Sequence, residues 1–237
     1  MSVLSVEDLD VHYGDFHALR GISLQAQEAT TLAVIGANGA GKSTLLKAIA
    51  GLLPPSRGSI LLDGAPVGHL PAHRRATLGI SLTPEGRRLF PQMSVRENLL
   101  VGASPGRSGP WTLGTVLELF PLVAERLERT AAHLSGGEQQ AVAIGRSLMS
   151  NPRLLLLDEV SLGLAPVVVQ QLYTALPRIV GNGTTVLVVE QDVSHALSVA
   201  DHVHCLLEGR TALEGPAAGL RRDEIAAAYF GTAEVVA

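Results

Sequence analysis

Apolar and polar positions along the chain follow two periods, and the switches between them mark out its elements. Residues 4–11 alternate apolar and polar, the pattern of a half-buried strand, and run into a turn at Tyr13-Gly14. Residues 22–26 and 31–35 predict two more strands, and the short connection between the first two predicts antiparallel pairing. Leu, Ala and Lys over 43–50 predict a helix, stopped by the Pro and Gly cluster at 51–58. Strands follow at 59–62, closed by Asp63-Gly64, and at 78–82; residues 84–91 form a polar loop. Ser94 and Glu97 have capping-box spacing and open a helix through Leu100. After a Gly/Pro/Ser loop over 104–114, short helices are predicted at 113–120 and 123–130, which makes 96–129 a candidate helical subdomain. Ser135 and Glu138 repeat the capping box and open a helix to Met149, broken by Asn151-Pro152. Residues 154–157 are four leucines, a fully buried strand that ends in Asp158-Glu159. A helix at 166–180 and a buried strand at 184–189 come next, then Glu190-Gln191-Asp192. A helix at 194–200, a hairpin of 202–207 with 211–214, and a helix at 225–229 complete the series. Strands alternating with helices predict an α/β fold. Its sheet is mostly parallel, with antiparallel strands at the N-terminus and a helical insert.

Composition narrows this picture. The 237 residues suit one large domain or a core with a small subdomain. Aromatics are only 3%, so Leu, Val, Ile and Ala must fill the core. A net charge of −4, from 18 basic and 22 acidic residues, gives no electrostatic reason for a nucleic-acid partner. The pairs Arg74-Arg75, Arg87-Arg88 and Arg221-Arg222 are expected on the solvated surface. Cys205 stands alone, so no internal disulfide forms, and its apolar run predicts a buried inert thiol. Residues 1–10 hold no apolar run of signal-peptide length, and no stretch reaches the ~18 apolar residues that span a bilayer. The chain is expected to be soluble by itself, and to serve a membrane only by docking onto something that spans it.

Three stretches carry chemistry. Gly36-Ala37-Asn38-Gly39-Ala40-Gly41-Lys42-Ser43 fits G-x-x-x-x-G-K-[ST], between a strand and a helix. Its glycines let consecutive N–H groups face one anion at the positive end of a helix. Lys42 supplies an ammonium to the β- and γ-phosphates, and Ser43 a hydroxyl to Mg²⁺. In the second stretch a buried strand delivers Asp158, able to hold Mg²⁺, and then Glu159, placed to take a proton from an attacking water. The third is Leu134-Ser135-Gly136-Gly137-Glu138-Gln139-Gln140, a second anion cradle at a helix start. Two cradles beside one set of metal and base residues point to a site shared between two subunits.

In this order and spacing, residues 36–44, 134–140 and 154–159 resemble the ATP-binding subunit of an ABC transporter, over nearly the whole chain. The resemblance implies an ABC ATPase with a P-loop NTPase core. It would be a single domain over 1–237, with its catalytic core at 1–85 and 150–237 and the helical segment at about 86–149. It implies ATP hydrolysis with Mg²⁺ in a head-to-tail dimer. Each ATP would lie between one chain's Gly36, Asn38, Gly39, Ala40, Gly41, Lys42, Ser43 and Thr44 and the other chain's Ser135, Gly136, Gly137 and Gln139. ATP closes such a dimer and hydrolysis reopens it, moving attached membrane subunits.

The resemblance extends to single positions. Tyr13 fits the aromatic that stacks on adenine. Glu85 stands where the family has a glutamine near Mg²⁺, and Gln191 where it has the histidine that contacts the γ-phosphate. Leu164 replaces an aspartate and Val160 a frequent proline. Together, Pro84-Glu85-Gly86-Arg87, Glu190-Gln191, residues 161–166 and the ending Ala228-Tyr229-Phe230-Gly231 resemble the shorter ATPase of branched-chain amino acid importers, from which Val160 and Asp192 depart slightly. Likeness to that subgroup implies a subunit peripheral to the cytoplasmic face of the inner membrane. Its implied partners are a second ATPase, two transmembrane permease subunits and, indirectly, a solute-binding protein. Uptake of another small polar solute, such as urea or an amide, is the alternative, and a non-transport ABC ATPase stands further off. Three carboxylates, Glu85, Asp158 and Glu159, around one site repel one another until Mg²⁺ arrives, so one is expected to have a raised pKa in the metal-free form.

Overall fold

The structure, a computed structural model, describes residues 2–231. The first strands are β1 (Ser2–Tyr13), β2 (Phe16–Gln27) and β3 (Thr31–Ile35), followed by α1 (Lys42–Ala50). Then come β4 (Arg57–Leu62), β5 (Ala65–Pro66), α2 (Ala72–Leu78) and β6 (Ile80–Thr83). The insert contains α3 (Val95–Val101), α4 (Leu113–Leu119) and α5 (Pro121–Ala124). It leads to α6 (Gly136–Leu148), β7 (Leu154–Asp158), α7 (Pro166–Gly181) and β8 (Thr185–Glu190). The chain continues through α8 (Val193–Leu197), β9 (His202–Leu207), β10 (Arg210–Pro216) and α9 (Arg222–Phe230).

Two sheets form. One has the order β2-β1-β4-β5 and is antiparallel. The other has the order β10-β9-β3-β8-β7-β6, parallel except for β10. Side chains of a strand alternate between faces, and the central strands are apolar on both because both are covered. Leu32, Val34, Leu154, Leu156, Leu187 and Val189 join one core, with α1 and the antiparallel sheet. Ala33, Ile35, Leu155, Leu157, Val186 and Val188 join the other, with α6 and α7.

Four expectations need correction. Residues 123–130 do not form a helix: α5 ends at Ala124, because the backbone beyond it bonds across to the start of α3, with Val95 N–H to Arg129 O at 2.9 Å and Arg96 N–H to Leu127 O at 2.9 Å. The strand expected at 78–82 begins at Ile80, since Leu78 ends the unforeseen α2 and Gly79 turns the chain at φ +106°. The helix expected at 194–200 stops at Leu197. Arg75 is not on the surface: it is 1% exposed, and its guanidinium caps the end of α1 by donating to Ala48 O (2.7 Å) and Ile49 O (2.9 Å). Cys205 is buried and free as expected, and burial pushes its thiol up to about 11.

Candidate active site

The C-terminal ends of neighbouring parallel strands converge where open α/β sheets bind ligands. Ile35 of β3 pairs with Glu190 of β8, and Val189 of β8 with Asp158 of β7. A cleft of about 540 Å³ opens there, lined by Asn38, Gly39, Gly41, Lys42, Ser43 and Thr44 together with Glu85, Glu159 and Gln191. Tyr13 enters from the tip of the β1–β2 hairpin. The structure thus brings together the sequence-predicted phosphate loop, Glu85, Glu159, Gln191 and Tyr13, with Asp158 behind them in contact with Ser43. Gly36 and Ala40 are buried beneath the loop and do not line the cleft. A Cβ on Gly36 would run into the backbone carbonyl of Leu206, and one on Gly41 (φ +103°) would sit 2.7 Å from Leu19 Cδ2. Glycine is therefore required there for packing as well as for the turn. The β9–β10 turn ties the loop to the hairpin strand, with Gly209 N–H donating to Ala40 O (3.0 Å) and Arg20 N–H to Gly209 O (2.8 Å).

Lys42 is buried, and its ammonium donates to Gly36 O (2.7 Å) and Ala37 O (3.1 Å) while pairing with Glu159 Oε1 at 3.4 Å. Gln191 Nε2 donates to Glu159 Oε2 at 2.8 Å. Glu159 is thus held from both sides, and its backbone sits at φ +47°. The Ser43 hydroxyl donates to Asp158 Oδ1 at 2.9 Å. Burial pushes the Asp158 carboxyl above its ordinary range, the charges of Glu159 and Glu85 add to this, and the Ser43 bond opposes it. One of the three acids is raised, as expected, but burial acts more strongly than repulsion. Hydroxyl and carboxylate oxygens with excess negative charge suit a hard divalent cation such as Mg²⁺. Among the described residues no group of three or more His, Cys, Asp or Glu could hold a metal by itself.

Ser135, Gly136, Gly137 and Gln139 do not line this cleft. They open α6, where the Ser135 hydroxyl accepts from Glu138 N–H and Glu138 Oε2 accepts from Ser135 N–H, completing the expected capping box. Gln139 is engaged within the chain, accepting from Arg87 Nη1 (3.1 Å) and donating to Ala131 O (3.2 Å). A Cβ on Gly137 would lie 2.6 Å from Val168 Cγ1 of α7, so the bare helix start is also a close helix contact. The unusual positions have structural places. Val160 is buried in the core and Leu164 packs against it. Asp192 caps α8, accepting from Ser194 N–H (2.8 Å) and His195 N–H (3.1 Å).

Sequence reasoning missed Phe16 and Leu162, both exposed in the cleft. Phe16 carried a signal, since it faces Tyr13 across the two-residue turn Gly14-Asp15. Sequence reasoning noted Glu190 beside Gln191 without giving it a role; Glu190 is buried, and its carboxylate accepts from the Tyr173 hydroxyl (2.6 Å) and the Ser161 hydroxyl (2.7 Å). Burial pushes the Glu190 carboxyl up and the Tyr173 phenol well up, while the two hydroxyl bonds pull Glu190 back down.

A family model described as ABC transporter matches residues 19–161. The chain belongs to the ABC transporter family. The match takes in the phosphate loop, the second cradle and Asp158-Glu159. As an ABC ATPase the chain hydrolyses ATP. It is 40% identical over 232 residues to the high-affinity branched-chain amino acid transport ATP-binding protein BraG of Pseudomonas aeruginosa, covering 97% of this chain and 100% of that one. It is 39% identical to the Fe(3+) ions import ATP-binding protein FbpC of Streptomyces coelicolor, covering 90% of this chain and 62% of that one. A solved ATP-binding cassette of an ABC transporter in its ADP conformation superposes with a TM-score of 0.83 at 28% identity, covering 96% of this chain and 94% of that one. No helix among the described residues is long and apolar enough to cross a membrane.

Proposed function

We propose that the chain is the ATP-binding subunit of an importer for branched-chain amino acids, acting from the cytoplasmic face of the inner membrane. The match to BraG over 97% of this chain and 100% of that one carries this reading. The chain is taken as a single ABC ATPase domain, with the catalytic core at 1–85 and 150–237 and the helical segment at about 86–149. Lys42, Ser43, Thr44 and the amides from Gly36 to Gly41 bind the phosphates of ATP, and Tyr13 lies against the adenine. Ser43, Asp158 and Glu85 hold Mg²⁺, which offsets the charge of the β- and γ-phosphates. Glu159 takes the proton of the attacking water, and Gln191 hydrogen-bonds the γ-phosphate without titrating near neutral pH, as a histidine would. Ser135, Gly136, Gly137 and Gln139 complete the site of a second ATPase subunit. Two permease subunits span the membrane, a solute-binding protein delivers cargo, and the segment 85–97 meets a short helix of a permease.

The test is purification of the tagged chain from native membranes with identification of the proteins that accompany it. Two multi-span subunits and a second ATPase are expected, with a binding protein that selects branched-chain amino acids. A binding protein for another solute would move the cargo, a reading favoured by the comparable identity to FbpC. In the purified complex, Glu159→Gln is expected to retain ATP binding and to lose hydrolysis by about 10²-fold or more. Full turnover would remove Glu159 from its role.

A further inference from the structure

Two consecutive residues at the end of β8 grip opposite ends of one short segment. Gln191 holds the Glu159 carboxylate inside the cleft. Glu190, on the other side of the strand, accepts from the Ser161 hydroxyl at 2.7 Å and faces the Ser161 N–H at 3.4 Å. Tyr173 reaches in from α7 to donate its hydroxyl to Glu190 Oε1 at 2.6 Å. The His195 ring backs Tyr173 at a centroid distance of 5.6 Å. Glu190 is 2% exposed and Tyr173 7%, and neither they nor Ser161 line the cleft.

At the first grip, Glu159 occupies the left-handed region at φ +47°. That conformation is strained for a side-chain-bearing residue, and it persists only where the surroundings fix it. The Glu159 N–H is tied to Val189 O at 3.0 Å and its carbonyl accepts from Leu162 N–H at 3.2 Å, while the Ser161 hydroxyl and N–H inside that turn are held by Glu190. A buried carboxylate is a poor choice for stability alone, because well-packed apolar groups of the same volume do as well or better. What it offers is three directional bonds from one group.

We propose that Glu190, anchored by Tyr173, is a positioning residue: it holds Ser161, and so fixes the backbone that aims the Glu159 carboxylate between Lys42 and Gln191. This rests on Glu159 being the base. The segment then depends on α7 as well as on the strands, so a shift of α7 would reach the base without touching nucleotide.

The test uses the full chain assembled with its membrane subunits. Tyr173→Phe and Ser161→Ala are each expected to lower kcat about tenfold with KM for Mg-ATP within about twofold, since small misplacement of a catalytic group acts on the chemical step. The double variant is expected to cost no more than the worse single one, because both act through Glu190. Glu190→Gln, which keeps an acceptor, is expected to retain more turnover than Glu190→Ala. Amide exchange over 159–164 is expected to quicken in Tyr173→Phe by more than its fall in melting temperature accounts for. Unchanged kcat, or kcat, KM and melting temperature moving together, would overturn the proposal. Glu159→Gln runs in the same assay: if it keeps full turnover, the reading of Glu159 as base fails and takes this proposal with it, and exchange over 159–164 still reports separately whether Glu190 holds the segment.

Discussion

Asp158 shows how one residue can serve the site at the expense of the fold. It is 4% exposed, and its carboxyl is held above the ordinary range by burial and by the charges of Glu159 and Glu85. The folded chain therefore keeps a proton on Asp158 more readily than the unfolded chain does. Such a group stabilises the fold fully below its unfolded pKa and progressively less as pH rises through its folded one. Asp158→Asn keeps an oxygen to accept from Ser43 and removes the charge. Without metal, its melting temperature is expected to exceed the parent's by a few degrees at about pH 7, with the excess fading toward about pH 4. Thermal unfolding across that range checks it. A variant that melts lower at neutral pH would mean that the charged hydrogen bond from Ser43 outweighs burial. ATP hydrolysis is expected to be lost in the same variant, since a neutral amide is a weak ligand for a hard cation.

At the scale of elements, Arg75 joins two helices that the hydrophobic pattern does not connect. Besides the carbonyls at the end of α1, it donates to Leu70 O (2.8 Å) and Gly68 O (2.7 Å). Its positive charge lies at the negative end of the α1 dipole. Arg75→Met fills the space of the stem and leaves those carbonyls short of a donor. It is expected to destabilise the chain by about 3 kcal/mol, read as a lower urea midpoint at unchanged slope. Arg75→Lys, with a single ammonium, is expected to recover part of this. Nothing in His73-Arg74-Arg75 announces the role, because α2 buries only that one side chain and has no apolar stripe to find. Elements whose burial is apolar are legible in the pattern: the strand at 31–35 has its predicted bounds, and the helix opened by Ser135 has them to within a residue. The segment 123–130 is not legible, because its backbone is spent on tertiary bonds to α3, which no local period records. The site divides the same way. The phosphate loop and Asp158-Glu159 are contiguous motifs that a strand and a helix must present. The Tyr173–Glu190–Ser161 network joins three distant stretches, and nothing local in any of them records that they meet.

At the scale of the whole molecule, the two helix starts proposed to bind anions, at α1 and α6, do not share a cleft. Lys42, Ser43, Glu159 and Gln191 line one, while Ser135, Gly136 and Gly137 open α6 elsewhere. If the second start serves a partner's nucleotide, damage to it must leave this chain's own binding untouched. Gly136→Asp places a carboxylate at that helix start. Its Cβ would meet only the Arg87 guanidinium, at 3.1 Å, the far end of a flexible side chain, so the fold is expected to tolerate it. ATP at about a hundred times its dissociation constant stabilises a binding-competent chain by roughly 2.7 kcal/mol. The single chain with Gly136→Asp is expected to show the parent's ATP-dependent rise in melting temperature, and Lys42→Ala to show little or none. In the assembled complex, Gly136→Asp is expected to lower hydrolysis at least about tenfold, through repulsion of the γ-phosphate held by the partner. Loss of the thermal shift in the single chain would place the α6 start in the chain's own site. Normal hydrolysis in the complex would leave the capping box as the whole reason for Ser135 and Glu138.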